Sequence, residues 1–234
     1  IRDHCVTGVQ TCALPISNAE IALFNAQRIY ASSAAAGPAF EGASIKQGMA
    51  AVRGAVCSFE LINGIKRVKT IGNAMPTGIC GSGLIDVVAE LLKNKIVDET
   101  GLMVLGKEFE ICDEVYIYAE DIREVQLAKA AIAAAIDMIL IAAEVDTAQV
   151  GRVLISGGFG SYINVDNAAL IGLFPSKLRA KTAAVGNSSL AGGILCASSS
   201  EKSRLADEIA EKTVYLNLAD SAEFVTRYVD HMMF

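Results

Sequence analysis

Val153-Leu154-Ile155-Ser156-Gly157-Gly158-Phe159-Gly160 is an apolar run that ends in three glycines. The run predicts a buried strand of a parallel sheet covered on both faces, feeding a glycine turn at its carboxyl end. Glycines there let a ligand approach the backbone, and open α/β sheets place ligands at that end of their strands. A tight strand-to-helix turn with no ligand is the alternative reading of the same residues. A dinucleotide fingerprint does not fit, because Gly158-Phe159-Gly160-Ser161-Tyr162-Ile163 puts isoleucine where the third glycine belongs.

Outward from this stretch, 234 residues suffice for one large domain with a substantial core. A composition 53% hydrophobic but only 6% aromatic, rich in Ala, Gly and Ile, favours helices packed closely on sheets. The net charge of −6 comes with no basic cluster, which argues against nucleic acid or an anionic membrane as partner. Mean hydropathy is positive, yet the most apolar helix candidate, residues 128–145, carries Lys129, Asp137 and Glu144 and is too broken to span a bilayer. Six scattered cysteines without a Cys-x-x-Cys pair argue against a zinc site and for reduced thiols in a cytoplasmic setting. No metal ligand is assigned. His4 and His231 sit in the two terminal segments, which disfavours a histidine-based triad.

Residues 1–17 lack the periodicities of the remainder. Val6-Thr7-Gly8-Val9-Gln10-Thr11-Cys12-Ala13-Leu14-Pro15-Ile16 reads as a translated sequencing adapter, so this segment is set aside as non-native and residues 18–234 are taken as the domain. A natural strand-turn segment is the competing reading. On the adapter reading, the chain is expected to lack its true amino-terminal part.

Residues 20–24 and 28–32 predict a hairpin about Asn25-Ala26-Gln27, and 56–62 with 65–71 a second about Asn63-Gly64. Between them, Gly37-Pro38-Ala39-Phe40-Glu41-Gly42 reads as a structured loop whose Glu41 is either solvated or turned into a cleft. Cys80-Gly81-Ser82-Gly83 leads into a helix over 84–93, where free N–H groups suit an anion such as phosphate. It is not a Walker A loop, since no Gly-Lys-Ser/Thr follows. Asp86, placed in the first turn, complements the helix dipole or holds a metal or water. A long helix is expected from Asp121, with Ile122, Val125, Ile132, Ile136 and Ile139 as its stripe and Lys129 either solvated or reaching a nucleotide. Residues 184–193, with Asn187 among them, open a small-residue helix suited to close packing. Helix 203–212, strand 214–218 and a capping box at Asp220-Ser221-Ala222-Glu223 complete the chain.

Four segments in order, Ala36-Gly37-Pro38-Ala39-Phe40-Glu41-Gly42-Ala43, Gly78-Ile79-Cys80-Gly81-Ser82-Gly83-Leu84-Ile85-Asp86, Asp121-Ile122-Arg123-Glu124-Val125-Gln126-Leu127-Ala128-Lys129-Ala130 and Gly157-Gly158-Phe159-Gly160, resemble the carboxyl-terminal domain of the reductive activators of corrinoid proteins. The resemblance implies an α/β, actin-like ATPase fold (ASKHA, ribonuclease H-like), of which this is the carboxyl-terminal portion. It further implies ATP and Mg²⁺ between two lobes, a [2Fe–2S] ferredoxin domain in the amino-terminal part of the parent protein, and reduction of cob(II)alamin to cob(I)alamin on a corrinoid iron–sulfur protein or corrinoid methyltransferase system. Gly157, Gly158 and Gly160 then match the turn facing adenosine, and with Phe159 they are nucleotide-binding candidates. Gly81, Ser82 and Gly83 join them as nucleotide-binding candidates, and Gly37, Glu41, Asp86, Lys129 and Asn187 as cleft candidates.

Two departures qualify this. Leu14-Pro15-Ile16-Ser17 stands where the family carries an Asp-x-Gly-Thr phosphate loop, and Ala19 where it carries glycine. Without that loop phosphoryl transfer loses its electrostatic clamp, so hydrolysis by the chain as given is expected to be undetectable. The rival readings are a non-catalytic docking or homodimerisation module of the same fold, and a small-molecule kinase of the same superfamily.

Overall fold

In the computed structural model, which describes residues 18–25, 27–157 and 162–234, the β-prone runs pair as their turns dictate. The adapter-like residues 1–17 and the candidates Gly158, Phe159 and Gly160 lie outside the described residues. Strands β1 (Ala19–Phe24) and β2 (Ile29–Ala34) form the first antiparallel hairpin. Strands β3 (Ala55–Ile62) and β4 (Ile65–Thr70) form the second, closed by Asn63 and Gly64 at φ 51° and 80°. Positive φ at both central residues is what a two-residue type I′ turn requires. Strand β5 (Gly78–Ile79) joins β3 in parallel, and β6 (Glu108–Cys112) with β7 (Val115–Tyr118) makes a third hairpin.

Strands β8 (Val153–Ile155) and β9 (Thr182–Ala184) pair in parallel. The expected burial of β8 on both faces is not found. Leu154 is 48% exposed, because β9 is the neighbour of β8 among the described residues and no second layer covers its outer face there. Strand β10 (Thr213–Leu216) returns from far along the chain to lie parallel to β2, and Ser32 Oγ donates to Leu216 O at 2.9 Å.

Among the described residues there are six α-helices: α1 (Gly81–Lys93), α2 (Ala119–Ala142), α3 (Val165–Leu170), α4 (Ser188–Ser198), α5 (Ser200–Lys212) and α6 (Ala222–Asp230). The main core gathers α1, α2 and β3, with Phe59, Leu84, Ile85, Val88, Ile122 and Val125 fully buried. Helix α2 was expected to begin at Asp121 with one apolar stripe. It begins at Ala119, the Asp121 carboxylate accepts from Tyr118 N at 2.9 Å, and the helix is buried on opposite sides. Ala135 faces a second cluster with Ala34 and Leu218 below the β1–β2–β10 sheet. Alanines keep that side narrow enough for a sheet to approach, which explains a helix long and apolar enough to cross a membrane that here lies between two protein layers.

Two further expectations shift. Helix α4 does not use its glycines for close packing: a Cβ added at Gly192 or Gly193 would meet nothing within 4 Å, and Leu190 and Ile194 are about 60% exposed. The cap of α6 is Ser221, one residue later than the box framed on Asp220 and Glu223 had it; its Oγ accepts from Phe224 N at 3.2 Å, and Phe224 has no acceptor with which to complete a box.

Candidate functional site

The parallel strands β8 and β9 end side by side, and their carboxyl ends build one rim. Val185 N donates to Ile155 O and Gly157 N to Gly186 O, both at 2.9 Å, extending the pairing past each strand. Ser156 Oγ then accepts from Ser188 N at 2.9 Å and also meets Ser188 Oγ. Asn187 caps α4 by accepting from Leu190 N at 2.9 Å. The structure therefore brings together Gly157 and Asn187 from the sequence reading, and adds Ser156, Gly186 and Ser188. Gly157 has φ 133°, and a Cβ there would meet open space, so its missing side chain serves no described protein neighbour.

The glycines at α1 are explained differently. A Cβ at Gly81 would lie 2.1 Å from Phe40 O, and one at Gly83 would lie 2.0 Å from Val56 O. Those glycines admit protein backbone. Ser82 Oγ donates to Cys57 O at 3.1 Å. The loop with Gly37 and Glu41 meets α1 here through Phe40. Glu41 itself is exposed, and Gly37, at φ 70°, has open space around it.

Asp86 is not in the first turn, since α1 starts at Gly81, and it does not face solvent. It is 3% exposed, with Phe59 N donating to Oδ2 at 3.3 Å and Asn167 Nδ2 to Oδ1 at 2.7 Å. Burial pushes its carboxyl above the usual range, opposed by those bonds. One turn on, Glu90 Oε2 accepts from Leu61 N at 3.1 Å, and Asn94 Nδ2 donates to Leu61 O at 3.1 Å. Lys93 Nζ closes the network with 2.7 Å bonds to Glu90 Oε1 and Asn167 Oδ1. Strand β5 covers the edge of β3 at Ala55 and Val56, and Ser82, Asp86, Glu90 and Asn94 act as its substitute further along that edge. Four helical residues rise about 6 Å, close to the roughly 6.6 Å between alternate strand residues. Sequence reasoning missed this role, although polar residues every fourth position on an otherwise apolar helix carried the signal.

Lys129 is neither solvated nor placed at the β8–β9 rim. It is 2% exposed, donates to Met233 O, and stands 5.3 Å from the Phe234 ring centroid. Burial lowers its pKa from 10.5 to about 8. Asp121 and Gln126 of the same segment are equally buried. Asp121 accepts from Lys46 N at 2.9 Å, and Gln126 donates to Thr100 O at 3.0 Å. The polar residues of this motif hold three backbone segments against α2. Among the described residues no group of three or more His, Cys, Asp or Glu could hold a metal, and the β8–β9 rim carries no carboxylate.

A family model described as the C-terminal domain of RACo, the ASKHA domain, matches residues 17–234. The corrinoid activation enzyme RamQ of Eubacterium limosum is 30% identical, over 93% of this chain and 41% of its own length. The [Co(II) methylated amine-specific corrinoid protein] reductase of Methanosarcina barkeri is 31% identical, over 91% and 44%. Among solved structures, a reductive activator for corrinoid, iron–sulfur protein superposes with a TM-score of 0.88 at 33% identity, covering 93% of this chain and 38% of that one. The chain thus spans about two fifths of the length of these relatives.

Proposed function

The chain belongs to the family of carboxyl-terminal ASKHA domains of RACo, and from that premise we propose that it forms one wall of an adenine-nucleotide cleft in an ATP-dependent reductive activator. In this reading the complete activator couples ATP to the reduction of cob(II)alamin to cob(I)alamin on a corrinoid protein partner in the cytoplasm. The observation that carries it is the convergence of the two strand ends at Ser156–Gly157 and Gly186–Ser188, where parallel sheets receive ligands. Gly157 leaves room for a ligand to approach the main chain, and Asn187 with Ser188 orients the start of α4 toward that space. Bound ATP would supply the free energy of the electron transfer. These residues bind and orient it.

Mg²⁺ does not fit the described rim, which offers no carboxylate. The iron–sulfur chemistry belongs in this proposal to a segment outside residues 18–234, since Cys57, Cys80, Cys112 and Cys196 form no metal-holding group. The test is Gly157→Val, which adds a side chain to the rim at a φ that L residues rarely adopt. Titration with ATP is expected to show binding to the wild type and at least a tenfold weaker affinity in the variant. Equal affinity would remove the rim from the site.

A second reading, a docking or homodimerisation module of the same fold, is favoured by the uncovered apolar side chains of α4, Leu190, Ile194 and Leu195. Under it, association with a corrinoid protein or a second copy is independent of nucleotide.

A further inference from the structure

Strand β3 pairs with β5 so that Ala55 faces Gly78 and Val56 faces Ile79, and Cys80 N continues the ladder by donating to Val56 O at 3.1 Å. The next opposed pair in that register is Cys57 and Cys80, and opposed residues of a parallel pair leave the sheet on one face. Neighbouring strands lie about 4.8 Å apart, inside the roughly 4.4–6.8 Å between Cα atoms that a disulfide spans. Cys57 is also the extra residue of a β-bulge: Val56 faces Thr70 and Ser58 faces Lys69, leaving Cys57 unmatched on β4. A bulge frees local backbone to re-aim its side chain. The Cys57 thiol is half-buried and donates to Lys69 O at 3.4 Å, whereas Cys80 is buried and donates to Val56 O at 3.3 Å.

We propose that Cys57 and Cys80 are a reversible dithiol–disulfide pair, a modification site joining the bulge of β3 to the amino terminus of α1. It stands independently of the nucleotide cleft. The oxidant is a low-molecular-weight disulfide. Cys57, the more accessible sulfur, loses its proton and attacks one sulfur of that disulfide, forming a mixed disulfide and expelling one small thiolate. Cys80 loses its proton in turn and attacks the Cys57 sulfur, forming the Cys57–Cys80 bond and expelling the second thiolate. The two protons lost convert both leaving thiolates to thiols, so two electrons pass from the protein to the small disulfide. Burial, and after it the neighbouring Cys80 thiol, push the Cys57 thiol up, which makes the reaction faster as pH rises.

The test uses the reduced chain, oxidised glutathione, alkylation of remaining thiols and tryptic mass mapping. Cys57 falls in the peptide of residues 54–66 and Cys80 in that of residues 70–93, each with no other cysteine. The expected product is these two peptides linked, two hydrogens short of their summed mass, and separated again by dithiothreitol. Cys80→Ser is expected to stop at a glutathione adduct on Cys57. Wild-type protein that accumulates that adduct while Cys80 stays free to alkylate would overturn the proposal. So would linkage of Cys57 to Cys112 or Cys196, or no reaction at Cys57 even at alkaline pH.

Discussion

Lys129 carries an amine into a site where it meets the Met233 carbonyl and the face of Phe234. Its folded-state pKa is about 8, against 10.5 for the ordinary amine. Between those values the unfolded chain binds more protons than the folded one, so stability rises with pH across that window. Urea unfolding midpoints measured stepwise through it are expected to climb in the wild type and to climb less in Lys129→Met. An unchanged slope in the variant would assign the rise to another group. Two glycines give a contrast that isolates the meaning of a missing side chain. Gly83→Ala drives a Cβ to 2.0 Å from the Val56 carbonyl oxygen, a backbone atom that cannot swing aside, and the expected cost is about 3 kcal/mol or more. Gly37→Ala meets open space and retains only the left-handed backbone penalty, about 1–2 kcal/mol. Denaturation of both variants is expected to rank them in that order, and equal costs would mean that α1 can shift off β3.

At the scale of elements, helix α1 completes a sheet edge with side chains. Glu90→Leu removes the acceptor of Leu61 N–H in a buried setting, and the expected cost is about 1–3 kcal/mol. Hydrogen exchange should quicken at Leu61 while Phe59, held by Asp86, stays protected. Unchanged exchange at Leu61 would show that its N–H has another partner. Both hairpins around Asn25 and Asn63-Gly64 were legible in the sequence, because turn chemistry is local and the structure honours it. The purpose of Gly81-Ser82-Gly83 was not. A glycine run at a helix start reads the same whether it admits a phosphate or a carbonyl oxygen, and only the position of Phe40 and Val56 separates the two. Asp86 and Lys129 misled for a related reason. Periodicity places them on a helix but says nothing of a second layer on what looks like the outer face, although the alanine-rich flank of α2 was a sign of one.

At the scale of the whole molecule, the feature least visible in the sequence is the return of β10 to β2, across most of the chain, which builds the sheet on the far side of α2. No local pattern in 29–34 or 213–216 announces that pairing. The β8–β9 rim was half legible: the apolar run ending in glycine marked its position, and the partner segment from Gly186 to Ser188 emerged only once the strands were paired. The central claim, that this rim is the nucleotide wall, is tested most directly by mapping backbone amide NMR shifts of the chain with and without ATP. Shifts are predicted to concentrate at Ser156, Gly157 and Gly186 to Ser189. Shifts confined to Gly81–Gly83 and the loop about Gly37 and Glu41, or no shifts at saturating ATP, would contradict the account.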